Sequence, residues 1–178
     1  MTQHLVLTVI GDDRPGLVGE LSAAISAHQG NWLKSSLAHL AGQFAGIVEV
    51  AVDEAGLGPL QAALARLSGL NVTVAVSPTP SSRPAEAIKS RRLKLALVGH
   101  DRIGIVREVS QVLANHAVNV ESLETHTSSA PMSAAILFHA LAELTATPNL
   151  DVGALIGELE RISNDLMVDI TLDETIEV

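Results

Sequence analysis

The sequence predicts an α+β chain made of two tandem βαββαβ units. The first observation behind this is a repeated polar turn. Gly11-Asp12-Asp13-Arg14-Pro15-Gly16 returns 88 positions later as Gly99-His100-Asp101-Arg102-Ile103-Gly104. An Asn follows the last glycine of each copy by 15 positions, Asn31 and Asn119, so the shared core D-R-x-G-(14 residues)-N occurs twice. The second observation is that strand-like and helix-like runs flank each copy in the same order. The third is composition: 178 residues that are 47% apolar have enough material for two small cores.

The same composition excludes several function classes. Net charge is −9, from 20 acidic against 11 basic residues, which repels a phosphate backbone on average. Phe44, Phe138 and Trp32 are the only aromatic residues, so stacking platforms for bases are missing as well. Direct nucleic-acid binding is not expected. There are no cysteines, hence no disulfide, thiol nucleophile or thiolate metal site. No apolar run approaches the roughly 18 residues of a membrane span. Met1-Thr2-Gln3-His4 does not open a signal peptide. A cytoplasmic chain with no membrane contact is expected.

The elements of the first half follow in order, over residues 1–76. His4 to Ile10 is a short β-branched apolar run, expected as a strand buried on both faces. Asp13 is placed to N-cap the following helix, with Pro15 in its first turn. Leu17, Val18, Leu21, Ala24, Ile25 and His28 share one helical face, and Gly30 ends the helix. Asn31 to Leu40 and Phe44 to Val52 are extended runs around the turn Ala41-Gly42-Gln43, a hairpin pattern. Leu57, Leu60, Leu64 and Leu67 mark a second amphipathic helix stopped by Gly69. Leu70, Val72, Val74 and Val76 alternate as a last strand. Residues 77–91, with three prolines and four serines, read as a linker.

Residues 92–178 repeat the plan. Leu93 to Val98 is the first strand, and Ile105, Val106, Val109, Val112, Leu113 and His116 form the helical face. Asn119 to Ser128 and Ser133 to Leu141 form a hairpin around Ala130-Pro131-Met132. Val152, Leu155, Ile156, Leu159 and Ile162 mark the second helix, and Val168, Ile170 and Leu172 the last strand. Matching Val72 to Val168 gives an offset of 96, which places an insertion of about eight residues near Ala142 to Leu150. The acidic tail Asp173 to Val178 has no assigned role. This element order is the ferredoxin-like plan, an antiparallel four-stranded sheet with two helices on one face. The open sheet face must be covered or an edge strand paired, so association within or between chains, and a homo-oligomer, are expected.

With two D-R-x-G-(14)-N copies on a βαββαβ frame, the sequence resembles the tandem ACT-domain proteins over both halves. Leu40-Ala41-Gly42-Gln43-Phe44-Ala45-Gly46-Ile47-Val48 and Ala130-Pro131-Met132-Ser133 narrow the likeness to the glycine cleavage system transcriptional repressor family. That resemblance implies a protein without a DNA-binding domain. Such a protein restrains a DNA-bound activator by contact and releases it when glycine binds. It also implies an amino-acid effector held between two domains, by the loop before the first helix of one and the second-strand start of the other. Carried over by position, the loops contribute Asp13 and Gly16, and Asp101 and Gly104; the strand starts contribute Asn31 and Asn119. The sequence departs from many ligand-binding relatives in having Asp13 and Asp101 where Asn is common, and Ile103 for Pro.

Each of these residues also has a plainer role. A free amino acid offers a carboxylate, which suits helix-terminus N–H groups, and an ammonium, which suits an Asp carboxylate or Asn oxygen. Asp13 and Asp101 could equally be N-caps, and Asn31 and Asn119 turn residues after a helix stop. Gly16 and Gly104 are expected to allow tight helix–strand packing, and secondarily close ligand approach. Arg14 and Arg102 are expected to be solvated or paired locally. His28 and His116 suit helix C-termini, and His100 could meet a ligand carboxylate. No metal-type histidine spacing and no nucleophile motif such as G-x-S-x-G is present. Neither a metal nor a cofactor is expected. The expected function is a non-enzymatic sensor of a small amino acid, with glycine or serine favoured, that regulates a transcription factor by protein contact. The alternative is an interaction or assembly module without ligand binding. An enzyme would need a catalytic constellation that the sequence does not display.

Overall fold

A computed structural model describes residues 1–77, 90–130 and 135–175. Two compact units emerge, each a βαββαβ fold. The first runs β1 (Thr2–Asp12), α1 (Leu17–Ala27), β2 (Asn31–Leu40), β3 (Gln43–Asp53), α2 (Glu54–Leu64) and β4 (Leu70–Ser77). The second runs β5 (Arg91–His100), α3 (Ile105–Asn115), β6 (Asn119–Ser129), β7 (Ile136–Ala146), α4 (Val152–Leu166) and β8 (Val168–Thr175). The sheets are antiparallel, in the orders β2-β3-β1-β4 and β6-β7-β5-β8. Ser77 and Arg91 therefore belong to strands. Residues 78–89 of the expected linker, the hairpin tip Pro131-Met132 and the end of the acidic tail lie outside the described residues.

Each core forms where alternate strand residues meet two helices. Leu5, Leu7 and Val9 of β1 and Val48, Val50 and Val52 of β3 bury against Leu17, Leu21, Ile25, Leu60 and Leu64. Leu93, Leu95 and Leu97 meet Ile105, Val109, Leu155, Leu159 and Leu166 in the same way. The expectation that the first strand is buried on both faces is corrected: Thr8 and Ile10 are exposed. An antiparallel sheet with helices on one side leaves its other face open, and a run of β-branched residues cannot by itself reveal that.

The helix ends explain several sequence features. At the end of α1, Gly30 N–H donates to Ile25 C=O (2.9 Å) and Gln29 N–H to Ser26 C=O (3.0 Å). α3 ends identically, through Val118 to Leu113 (2.9 Å) and Ala117 to Ala114 (3.0 Å). These pairs satisfy the last free carbonyls of the helix. The left-handed residue is Gln29, with φ 59°, so Gly30 closes the turn without being its left-handed residue. Leu67 lies beyond α2, which ends at Leu64, and Leu166 continues α4 one turn past Ile162.

The expected insertion is corrected in size and place. Val9 faces Val72 and Leu97 faces Ile170, so the last strands are 98 positions apart and Val168 corresponds to Leu70. In the preceding ladder Leu7 faces Val48 and Leu95 faces Ala142, an offset of 94. Six of the ten extra residues therefore fall between β6 and β7, and four between β7 and α4. A two-residue slip preserves the alternation of Val168, Ile170 and Leu172, so hydrophobic pattern could not detect it.

Candidate functional site

The repeated loop is built around a glycine. Gly16, at the N-terminal boundary of α1, has φ 94°, and Gly104 before α3 has φ 103°. L side chains rarely adopt these angles, which accounts for glycine in both copies. A Cβ at Gly16 would meet nothing nearer than a Glu20 carboxylate oxygen at 4.0 Å. The expected tight helix–strand packing is thus corrected; the requirement is conformational. From Gly16 the carbonyl accepts the first helical bond, from Glu20 N–H at 2.9 Å, and Gly104 accepts likewise from Glu108 at 2.9 Å. The amides of the first turn stay free of intrahelical partners, a ready anion-binding terminus.

Asp13 does not cap α1, and Pro15 precedes the helix rather than entering its first turn. Asp13 is held instead by the β2–β3 hairpin, its N–H donating to Gly42 C=O at 3.0 Å. Its carboxylate stands 3.7 Å from His39 Nε2. Asp101 N–H donates to Ile136 C=O at 2.9 Å, the matching position of the second hairpin. Gly16 dictates this outcome: its left-handed turn starts the helix three residues after Asp13, beyond the reach of the carboxylate.

The two arginines differ. Arg14 makes a bidentate pair with Glu20, at 2.6 and 2.7 Å, and donates a further bond to Ser68 C=O at 3.2 Å. The hydrogen bond from Arg14 holds the Glu20 carboxyl below its ordinary range, and Glu20 raises the guanidinium. Among the described residues Arg102 reaches Asp165 C=O at 3.4 Å and Glu108 at 3.7 Å. Beside it an open cleft of about 410 Å³ is lined by Asp101, Arg102, Gly104, Arg107 and Phe138. Ile103, in the place of Pro15, is fully exposed. Sequence reading passed over Glu20 and Glu108, although D-R-x-G-x-x-x-E is itself repeated at the same spacing.

The two asparagines lie elsewhere. Asn31 begins β2 and faces Ala51, which also faces His4 near the start of β1. The loop leaves from the other end of β1, beside Phe44 and Gln43. A strand of this length separates Asn31 from its own loop by about 30 Å. Asn119 begins β6, and its amide donates to Glu121 at 2.8 Å, as does the Thr145 hydroxyl at 2.8 Å. Glu121 sits at a bulge that β2 shares, where Leu33 takes its place. The structure therefore gathers Asp13 with Gly16 and Asp101 with Gly104, and brings neither Asn to the loop of its own unit.

Residues 3–77 match the sequence profile of the ACT domain. The first unit is an ACT domain. It is similar to an unknown protein from Galdieria sulphuraria, with 30% identity, 99% of this chain and 100% of that chain covered, and a TM-score of 0.82. It is also similar in fold to a protein provisionally named a glycine cleavage system transcriptional repressor. There the identity is 19%, coverage is 99% of both chains and the TM-score is 0.70. No curated protein shows a significant match to the sequence. Both units have the strand order and helix placement of the ACT fold. Among the described residues no group of three His, Asp or Glu is arranged to hold a metal, and no helix is long and apolar enough to cross a membrane.

Proposed function

We propose that this ACT-domain protein is a non-enzymatic sensor of a small amino acid, glycine or serine, acting as a homo-oligomer in the cytoplasm. Its output is contact with a regulatory protein, a transcription factor, as in a glycine cleavage system repressor. The observation that carries this reading is the repeated loop, in which a left-handed glycine directs free helix N–H groups outward beside an Asp and an Arg. The amides and Arg102 suit the carboxylate of an amino acid; Asp101 or Asp13 suits its ammonium. Because Asn31 lies about 30 Å from its own loop, an Asn contributes only by coming from another ACT domain, as in relatives with shared sites.

A second reading has support of its own. Glu20 already occupies Arg14, and Glu121 already occupies Asn119. These contacts favour an interaction or assembly module that does not take a ligand at those positions.

Titration with glycine, serine and other amino acids separates the two. Trp32 directly follows Asn31, so its fluorescence reports the strand start, and melting temperature reports binding anywhere. Ligand at 100 times its dissociation constant adds about 2.7 kcal/mol of stability. The sensor reading expects a saturable response to one small amino acid, lost in Asp101→Ala and Gly104→Ala. No response to any amino acid defeats it and leaves the module.

A further inference from the structure

Strand pairing in the second unit brings together two histidines that are far apart in sequence. In the β6–β7 ladder His126 stands directly opposite His139. Their rings are stacked, with centroids 4.6 Å apart and planes within 1° of parallel. Phe138, Ala140, Ala142 and Leu144 of β7 pack into the core beneath the helices. Strand alternation therefore puts His139, and His126 across from it, on the sheet face that the helices leave uncovered. His126 is exposed and His139 half-buried. One ring nitrogen is already held: His139 Nε2 lies 2.8 Å from the Ser128 hydroxyl. The fold itself does not require these rings. Counted from the bulges that β2 and β6 share, Ala38 stands where His126 does, and it faces Ala45.

We propose that His126 and His139 form a two-histidine site for a divalent transition-metal ion of the copper, nickel and zinc class. Imidazole is the commonest metal ligand and suits these ions. Two ring nitrogens bound to one ion at 2.0–2.1 Å stand at most about 4.2 Å apart. Rings stacked at 4.6 Å need only a small tilt toward each other for a nitrogen of each to reach that ion. Ser128 gives the outer contact that ligating histidines use: with Nε2–H donated to its oxygen, His139 keeps the lone pair on Nδ1. Two protein donors make an open site, with water filling the remaining positions. The net charge of −9, and Glu124 two residues before His126 on the same face, favour a cation there. An ion shared by β6 and β7 would staple the hairpin whose Ile136 carbonyl holds the Asp101 amide. The sequence shows no metal spacing because the pair exists only once the two strands are in register.

This inference is independent of amino-acid sensing. Calorimetric titration of the untagged full chain with Ni²⁺ and with Zn²⁺ tests it. One ion should bind per chain. His126→Ala and His139→Ala should each abolish binding, and the Ala38–Ala45 pair of the first unit shows that such a sheet accepts both. Ser128→Ala should weaken affinity about tenfold, and Ser128→Thr should restore it. His28→Gln, at the end of α1, should leave it unchanged. A wild-type chain that binds neither ion overturns the proposal, and so does binding that survives both alanine variants. Paramagnetic broadening by sub-stoichiometric Cu²⁺ gives a check on the unmodified chain, free of folding defects. Of the seven histidines, the imidazole signals of His126 and His139 should broaden first. Broadening that is centred on other histidines, spread evenly over all seven, or absent overturns the proposal.

Discussion

Loops 13–16 and 101–104 share a backbone and differ in what holds their arginines. Both glycines are left-handed, both Asp amides bond to the neighbouring hairpin, and both helices start at the following residue. Yet Arg14 is clamped to Glu20 at 2.6 Å, whereas Arg102 stands 3.7 Å from Glu108 and borders an open cleft. The contrast separates two functions of one motif. The glycine and the hairpin set the shape of the loop, and the pairing of the arginine sets what the loop can still receive.

A second contrast, in the flank that supports each unit, gives the largest expected effect. Trp32 packs against the first core opposite Val50, and Val120 occupies the matching place opposite Leu144. The second unit has a narrow apolar cleft there, lined by Val106, Val120, Leu123 and Phe138. Trp32→Val should cost about 2 kcal/mol in denaturant unfolding, below the full range for Trp truncation because the indole is only half buried. Gly16→Ala and Gly104→Ala should each cost about 1–2 kcal/mol by forcing an L side chain to positive φ. Near-equal losses would confirm that the two loop backbones are equivalent; a loss at one position alone would break the equivalence. Val120→Trp should raise stability by about 0.5–1 kcal/mol by filling the cleft, and a loss would mean that the cleft cannot admit an indole.

Much of this was legible in the sequence. The repeat, the hairpin turn at Ala41-Gly42 and the helical leucines depend on local chemistry, and all but Leu67 appear in the fold as expected. The loop was harder. An Asp before a helix commonly caps it, and only the φ of Gly16 shows that the helix begins too late for Asp13 to do so. The Arg14–Glu20 pair leaves no helical-spacing signal, because six residues separate its members across a loop rather than along one helical face. Asn31 and Asn119 follow their glycines at a fixed spacing, yet the intervening helix carries the chain to the opposite end of the sheet. Spacing alone gives no hint of that.

The smallest expected effect bears most directly on the clamp. Arg14 and Glu20 are 39% and 42% exposed, so solvent screens their attraction. Glu20→Gln should lower the melting temperature at neutral pH slightly, and more than Glu108→Gln, whose carboxylate lies farther from its arginine. The hydrogen bond from Arg14, with the charge attraction behind it, holds the Glu20 carboxyl below the ordinary range. A carboxyl so depressed contributes stability that is complete above the unfolded value, near pH 4.3, and is lost as pH falls through the lower folded value. Arg91 depresses Glu174 in the same way, so the wild-type acid profile contains both losses. Subtracting the Glu20→Gln profile from the wild-type one isolates the first loop. A difference that is constant at neutral pH and shrinks below pH 4.3 identifies the ion pair. A difference that stays constant to the acid limit means that Glu20 acts by packing, and Arg14 would then be as free to meet a carboxylate as Arg102.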